Sequence, residues 1–226
     1  MKPPSIFNLF KKILQINLSK PSHIKKLISS GVKIQDENSV FIEDTVEISP
    51  GTIILPSTYI TGKTKIQSDC VIGPNTTISD STVGKDSKII FSIVSDSFLG
   101  EKNQIGPFAY IRESTITDSE VILGNFVEVK SSKIGKKSKS KHLSYIGDSV
   151  IEKNVNIGAG FVMANFDGKS KNKSLIKENV FVGSNTTIIS PVIIHSDSII
   201  GAGSVVTKDV LSAEVVVGNP ARKLRK

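Results

Sequence analysis

The chain has 226 residues, 38% of them hydrophobic and only 6% aromatic, with no tryptophan and a formal net charge of +8. The apolar content excludes wholesale disorder, while so few aromatics are unusual for an ordinary sandwich or barrel core. A single cysteine, Cys70, excludes an internal disulfide and a cysteine-rich zinc site, and no apolar run reaches the length of a transmembrane helix.

Residues 1–31 read as a helical cap. Phe7, Phe10, Ile13 and Leu14, then Ile24, Leu27 and Ile28, fall at helical spacing. Pro21 separates two short helices and Gly31 suits a C-cap. Lys2, Lys11, Lys12 and Lys20 flank the apolar face, so a membrane-surface helix is the competing reading. A cover over the open end of a β-structure is favoured, and membrane is not an expected partner. No secretory signal with a cleavage site is visible, so the expectation is a cytoplasmic protein.

From residue 32 to 211 the chain carries a repeat. Aliphatic residues stand six apart at Ile42, Ile48, Ile54, Ile60, Ile66, Ile72 and Ile78, and again at Ile176, Val182, Ile188, Ile194, Ile200 and Val206. Between these runs some sides are shorter by one residue: Ile78 to Val83, Ile111 to Ile116, Val129 to Ile134, and Ile146 to Ile151. Neither an α-helix nor an alternating strand has that period. It predicts an all-β fold, a left-handed parallel β-helix of hexapeptide repeats, with the hand implied by the class rather than by the spacing. Roughly ten coils at ~4.8 Å per rung give a prism about 45–50 Å long.

Glycine often follows the aliphatic residue, as in Ile72-Gly73, Gly84, Gly100, Gly106, Gly135, Gly147, Gly158, Gly183 and Gly201, which suits a corner where the backbone turns. Small residues four places after it, such as Thr58, Thr64, Cys70, Thr76, Thr82, Thr186 and Ser204, would fill the interior. Cys70 therefore reads as core. A polar stretch at 164–175, ANFDGKSKNKSL, is read as an inserted loop, and 212–226 as a basic tail.

A site on so repetitive a surface must come from residues that break the repeat. His23 and His195 read as structural or solvated. A zinc-dependent hexapeptide enzyme would need three clustered histidines, so no metal site is expected. His142, in KHLSYIGD, follows a basic run. Glu128, in GNFVEVK, lies about one coil earlier and could orient the imidazole. Arg112 and Lys130 are also about one coil apart and could stack into an anion clamp. The positive charge is scattered lysine without a nucleic-acid-binding signature, so nucleic acid is not an expected partner.

The segments GPFAYIRE, GNFVEVK, KHLSYIGD, NVNIGAG, NFDG, VFVGSNT and GAGSVVTKDV occur in that order at near-fixed spacing. Together they resemble the C-terminal acetyltransferase domain of the bacterial bifunctional enzymes that make UDP-N-acetylglucosamine. The resemblance runs from about residue 25 to residue 210. It implies acetyl transfer from acetyl-CoA to the amine of glucosamine-1-phosphate. It also implies a homotrimer with each site at a cleft between subunits. Position by position, His142 would be the general base, with Glu128 near it. Arg112, Lys130, Tyr145, Asn156 and Lys171 would hold the sugar phosphate. Ala159, Asn165, Ser184 and Ala202 would contact acetyl-CoA, as would Phe166, which stands where the family usually has tyrosine. Phe161 and Met163 replace smaller residues of the family pattern. GNPAR near the end resembles the tail of other hexapeptide acyltransferases. The nucleotidyltransferase domain of the family, with its Gly-rich loop, has no counterpart in 1–41, so no uridylyl transfer is expected. Another amino sugar as acceptor, such as galactosamine-1-phosphate or a nucleotide-linked sugar, and a non-catalytic β-helix scaffold, are the alternatives.

Overall fold

A computed structural model of the chain describes residues 21–224. The helix Pro21–Ser29 comes first. Proline suits its first position because no helical hydrogen bond is lost there. The helix ends in a Schellman turn. Gly31 adopts φ +100°, its N–H donates to Ile28 O at 3.0 Å, and the Val32 N–H donates to Leu27 O at 3.1 Å. Ile24 and Leu27 are buried in the same cluster as Val32 and the first rungs, so this helix closes the open end of the core. The expected helix before Pro21 and its flanking lysines lie outside the described residues.

The rest is a three-sided left-handed parallel β-helix of hexapeptide repeats. Strands of mostly two or three residues alternate with corners, and each strand pairs in register with the strand one coil on. One aliphatic side chain per side points inward. On the first face Ile54, Ile72, Ile89, Ile105 and Leu123 stack in register. On the second face Ile42, Ile60, Ile78, Val94, Ile111, Val129 and Ile146 do the same. These residues are essentially fully buried. Burying each is worth about 1.5–3 kcal/mol, and only stacking supplies the cover.

The structure corrects several details of the repeat. Ile116 points outward, 37% exposed, and Thr117 takes the inward place at 1%. The Thr117 hydroxyl accepts a hydrogen bond from Asn103 Nδ2 at 2.6 Å, which is why a polar residue is tolerated in the core. The side from Ile111 therefore keeps six residues. The shortening falls instead on both sides of the buried Val94, between Ile89 and Leu99. At the first shortened corner Ser81 is buried rather than Thr82, because one missing residue shifts the inward position.

Most of the corner glycines serve a purpose other than positive φ. Of those following an aliphatic residue, Gly73 and Gly106 have φ near +100°. The others are needed because the next coil lies directly against them: a Cβ on Gly135 would sit 2.5 Å from the Glu152 carbonyl carbon. The left-handed turns are made largely by polar residues, among them Asp69, Asp86, Asn154, Asn179 and Asp197. Such side chains tolerate that conformation. Three of them ladder together: Asn154 Nδ2 donates to Asn179 Oδ1 at 3.2 Å and Asn179 Nδ2 to Asp197 Oδ1 at 3.0 Å.

Residues 212–224 of the segment expected as a basic tail are part of the solid. Val215–Val217 pairs with Ile199–Ile200 as a further rung, and Arg222–Lys223 folds back antiparallel on it. Two strands are much longer than the rest. Ile122–Lys130 and Lys139–Gly147 each run nine residues and cross the corner between first and second faces in one register, with Asn125 still paired to His142 at the corner. That continuous register sets the candidate site.

Candidate functional site

Along the paired long strands Asn125 lies opposite His142, Glu128 opposite Tyr145, and Lys130 opposite Gly147. Arg112 lies opposite Lys130 on the preceding coil. Outward side chains therefore form columns on the second face, and two groups of candidate residues result.

The first group is a cluster of charges at the far edge of the second face. Arg112 Nε and Nη2 both donate to Glu128 Oε1, at 2.9 and 2.6 Å. The guanidinium lies over the Tyr110 ring at 5.3 Å. Lys130 has a side chain only 5% exposed and pairs with Glu113 Oε2 at 3.3 Å and with Asp148 Oδ2 at 3.7 Å. A buried ammonium requires such partners. Asn165 Nδ2 donates to the same Asp148 Oδ2 at 2.6 Å. Gly147 makes room for this: a Cβ there would meet the Tyr145 hydroxyl at 2.5 Å and Asn165 Nδ2 at 2.7 Å. The structure thus brings Arg112, Lys130, Tyr145 and Asn165 together. Asn165, expected among the coenzyme contacts, belongs to this cluster.

Lys171 joins it from the inserted loop. Its amine is held below the usual lysine value, first by its interaction with Lys130, then by desolvation, with Arg112 adding a smaller repulsion. The loop is built around Asp167. That carboxylate accepts the Lys169 and Ser170 N–H groups at 2.8 and 2.7 Å and Asn172 Nδ2 at 2.9 Å. These bonds, the one from Ser170 N–H foremost, hold its carboxyl well below the usual range. Phe166 bridges antiparallel to Lys171 and is 60% exposed.

The second group follows the corner between the first and second faces. His142 stands there, exposed and without a side-chain hydrogen bond among the described residues. Continuing along the axis, Gly160 N–H donates to Leu143 O, Asn185 N–H to Ala159 O, and Gly203 N–H to Ser184 O, at 2.7–2.8 Å. His142, Ala159, Ser184 and Ala202 therefore occupy equivalent places on successive coils. Bulky side chains line this corner on the coils before it (Phe91, Phe108 and Phe126, with Leu143 beside His142), then give way to Gly160, Asn185 and Gly203. An open pocket of about 460 Å³ lies between the two groups, bordered by Phe126, Glu128, Leu143, Tyr145, Gly160 and Val162.

Two expected contacts are placed otherwise. Glu128 is engaged by Arg112 and sits opposite Tyr145, three residues along the strand from the partner of His142. Asn156 lies on the first face, between Lys139 and Phe181, outside the charge cluster of its own chain. Phe161 and Met163 are fully buried in the core, and Phe161 also contributes to the floor of the open pocket. Sequence reasoning missed Glu113 and Asp148. A weak signal for Asp148 was present: Arg112, Lys130 and Asp148 are equally spaced in sequence, although the in-register partner of Lys130 is Gly147.

Comparison with known proteins agrees with this architecture. The bacterial transferase hexapeptide profile (six repeats) matches residues 173–208, and that of the GMPPB C-terminal domain matches 36–134. The bifunctional protein GlmU of Carboxydothermus hydrogenoformans is 46% identical over 81% of this chain and 41% of its own length. That of Clostridioides difficile is 43% identical over 87% of this chain and 43% of its own. The chain spans about two fifths of the length of these curated relatives. Among solved structures, the UDP-N-acetylglucosamine acyltransferase of Francisella novicida superposes with a TM-score of 0.61 at 15% identity, over 84% of this chain and 69% of that one. The fold and the repeat define a hexapeptide-repeat β-helix. Over 81–87% of its length the chain is similar to part of the bifunctional GlmU proteins.

Proposed function

We propose that this chain transfers the acetyl group of acetyl-CoA to the amine of an amino-sugar 1-phosphate, with glucosamine-1-phosphate as acceptor. One observation carries the reading. Arg112, Lys130 and Lys171 share one cluster, and the pocket that begins at Glu128 and Tyr145 reaches Leu143, next to an exposed His142 that begins a line of small residues. The cations suit a phosphate monoester, with Arg112 able to offer paired donors. Ala159, Ser184 and Ala202 leave a shallow corner along which pantetheine can lie, with Phe166 near the loop end.

In the reaction the amine attacks the thioester carbonyl carbon. The C–N bond forms and the C–S bond breaks, while His142 accepts the amine proton and passes it to the leaving thiolate, so that the coenzyme departs as its thiol. An imidazole can take that proton at neutral pH. Fixing the sugar phosphate against the thioester supplies much of the acceleration. Glu128 orients Arg112. Asn156, on the neighbouring face, contributes through a second copy, which fits a homotrimer with sites between chains. No helix among the described residues is long and apolar enough to cross a membrane, and we take the protein to act in the cytoplasm.

The test is thiol release from acetyl-CoA with glucosamine-1-phosphate, galactosamine-1-phosphate and a nucleotide-linked amino sugar in parallel. Release with the first supports the assignment. Release with another acceptor alone keeps the mechanism and changes the substrate. A folded protein silent with all three would overturn the enzymatic reading in favour of a scaffold. Arg112→Ala should raise KM for the sugar phosphate about tenfold or more while kcat changes less; an unchanged KM would remove Arg112 from the phosphate site.

A further inference from the structure

The cation cluster already contains an anion. Glu113 directly follows Arg112, and its carboxylate is shared between two cations: Oε1 accepts from Arg112 Nη1, and Oε2 lies 3.3 Å from Lys130 Nζ. Its side chain is 16% exposed, against 5% for Lys130. One oxygen to each cation is how a phosphate would also seat itself here.

The backbone has been bent to place it. Glu113 and Ser114 are consecutive residues with positive φ, +51° and +58°. The coils on either side use one such residue at this corner, Asp96 and Ser131. The side from Ile111 to Thr117 also keeps six residues, whereas the sides from Val94 to Leu99 and from Val129 to Ile134 have five. The second left-handed conformation costs free energy, and such strain persists where the surroundings impose it. Here it lifts a carboxylate over Lys130.

We propose that Glu113 is the resting occupant of the phosphate seat, a tethered anion that substrate must displace. This rests on the phosphate-binding reading of the cluster and deepens it. While the seat is empty of substrate, Glu113 keeps Lys130 paired and Arg112 oriented. When a phosphate monoester enters, its oxygens take over both cations and the Glu113 side chain turns out toward solvent. A dianion competes well with the single charge of Glu113, whereas a carboxylate or an uncharged sugar does not. Glu113 thereby selects for the phosphate group.

The experiment compares binding of inorganic phosphate and of glucosamine-1-phosphate to the full chain and to Glu113→Gln, by titration calorimetry. Removing the tethered competitor is expected to tighten phosphate binding about tenfold and to lower KM for the sugar phosphate with kcat little changed. Equal or weaker phosphate binding by a folded Glu113→Gln protein, or no phosphate binding by either protein, overturns the proposal. Glu113→Asp guards against misfolding of the first variant. Its shorter side chain keeps the charge but cannot span both cations, so phosphate binding between that of the other two proteins is expected, and binding no tighter than in the unaltered chain counts against the proposal. The phosphate titration is independent of catalysis. Tightened phosphate binding without acetyl transfer would uphold Glu113 and fail the acetyltransferase reading alone.

Discussion

His142 is exposed on a corner and makes no side-chain hydrogen bond among the described residues, so its removal disturbs no packing. His142→Ala should therefore lower turnover about 10²–10⁴-fold with an unchanged unfolding curve. Near-normal turnover would exclude it as the base. Ser140 presents the opposite case. Its side chain occupies the inward column between Leu123 and Ile157, and its buried hydroxyl has no hydrogen-bond partner. Ser140→Ala is expected to stabilise the protein by about 1 kcal/mol, seen as a raised denaturation midpoint. A lowered midpoint would mean that the hydroxyl is satisfied in solution. Cys70 is legible at this scale from sequence alone. Its thiol is buried, contacts Gly84 O at 3.2 Å, and burial pushes its pKa up to about 11. That suits a small core residue and no nucleophile.

Among the elements, the inserted loop has the clearest division between sequence and structure. Its polarity and its NFDG turn announced an excursion from the coil. They did not announce that Asp167 would gather N–H groups from Lys169 and Ser170 and so return the chain to present Lys171 beside Lys130. Asp167→Ala should raise KM for the sugar phosphate roughly tenfold by releasing Lys171, while leaving the solenoid's melting temperature nearly unchanged. An unaltered KM would show that Lys171 is held without the turn. The carboxyl of Asp167 is depressed in the folded chain, so its stabilisation is fully present above the ordinary carboxylate range. It is lost as pH falls through the depressed folded value, which places loop opening in strong acid. The long strands Ile122–Lys130 and Lys139–Gly147 are likewise a structural finding. Hexapeptide spacing predicts short rungs, and only the pairing across the corner sets Asn125 opposite His142 and Glu128 opposite Tyr145.

At the scale of the whole molecule, both ends of the solenoid are closed. The helix Pro21–Ser29 covers the first rungs, and the hairpin of Val215–Val217 with Arg222–Lys223 forms the last. A chain ending at residue 211 would uncover Ile200 and Val206. It should lose about 2–5 kcal/mol, measured by urea denaturation. No loss would mean that the final hairpin contributes only charge. The +8 net charge fits a molecule whose proposed substrates both carry phosphate groups.

What the sequence determined by itself was the β-helix, its axis of aliphatic stacks and the identity of the motif-bearing residues. A six-residue period admits one economical fold, and the residues that the repeat does not require stand out against it. Lengths of individual sides were less legible, because an outward Ile116 beside an inward Thr117 inverts the polarity that the pattern relies on. The partners of the charged residues were decided only in three dimensions. Glu128 goes to Arg112, Asn165 to Asp148, and Glu113 to both Arg112 and Lys130. One-coil spacing brings backbones into register, but side chains choose among several neighbours within reach. In a cluster this dense, the choice falls to the pairing that leaves no buried charge alone.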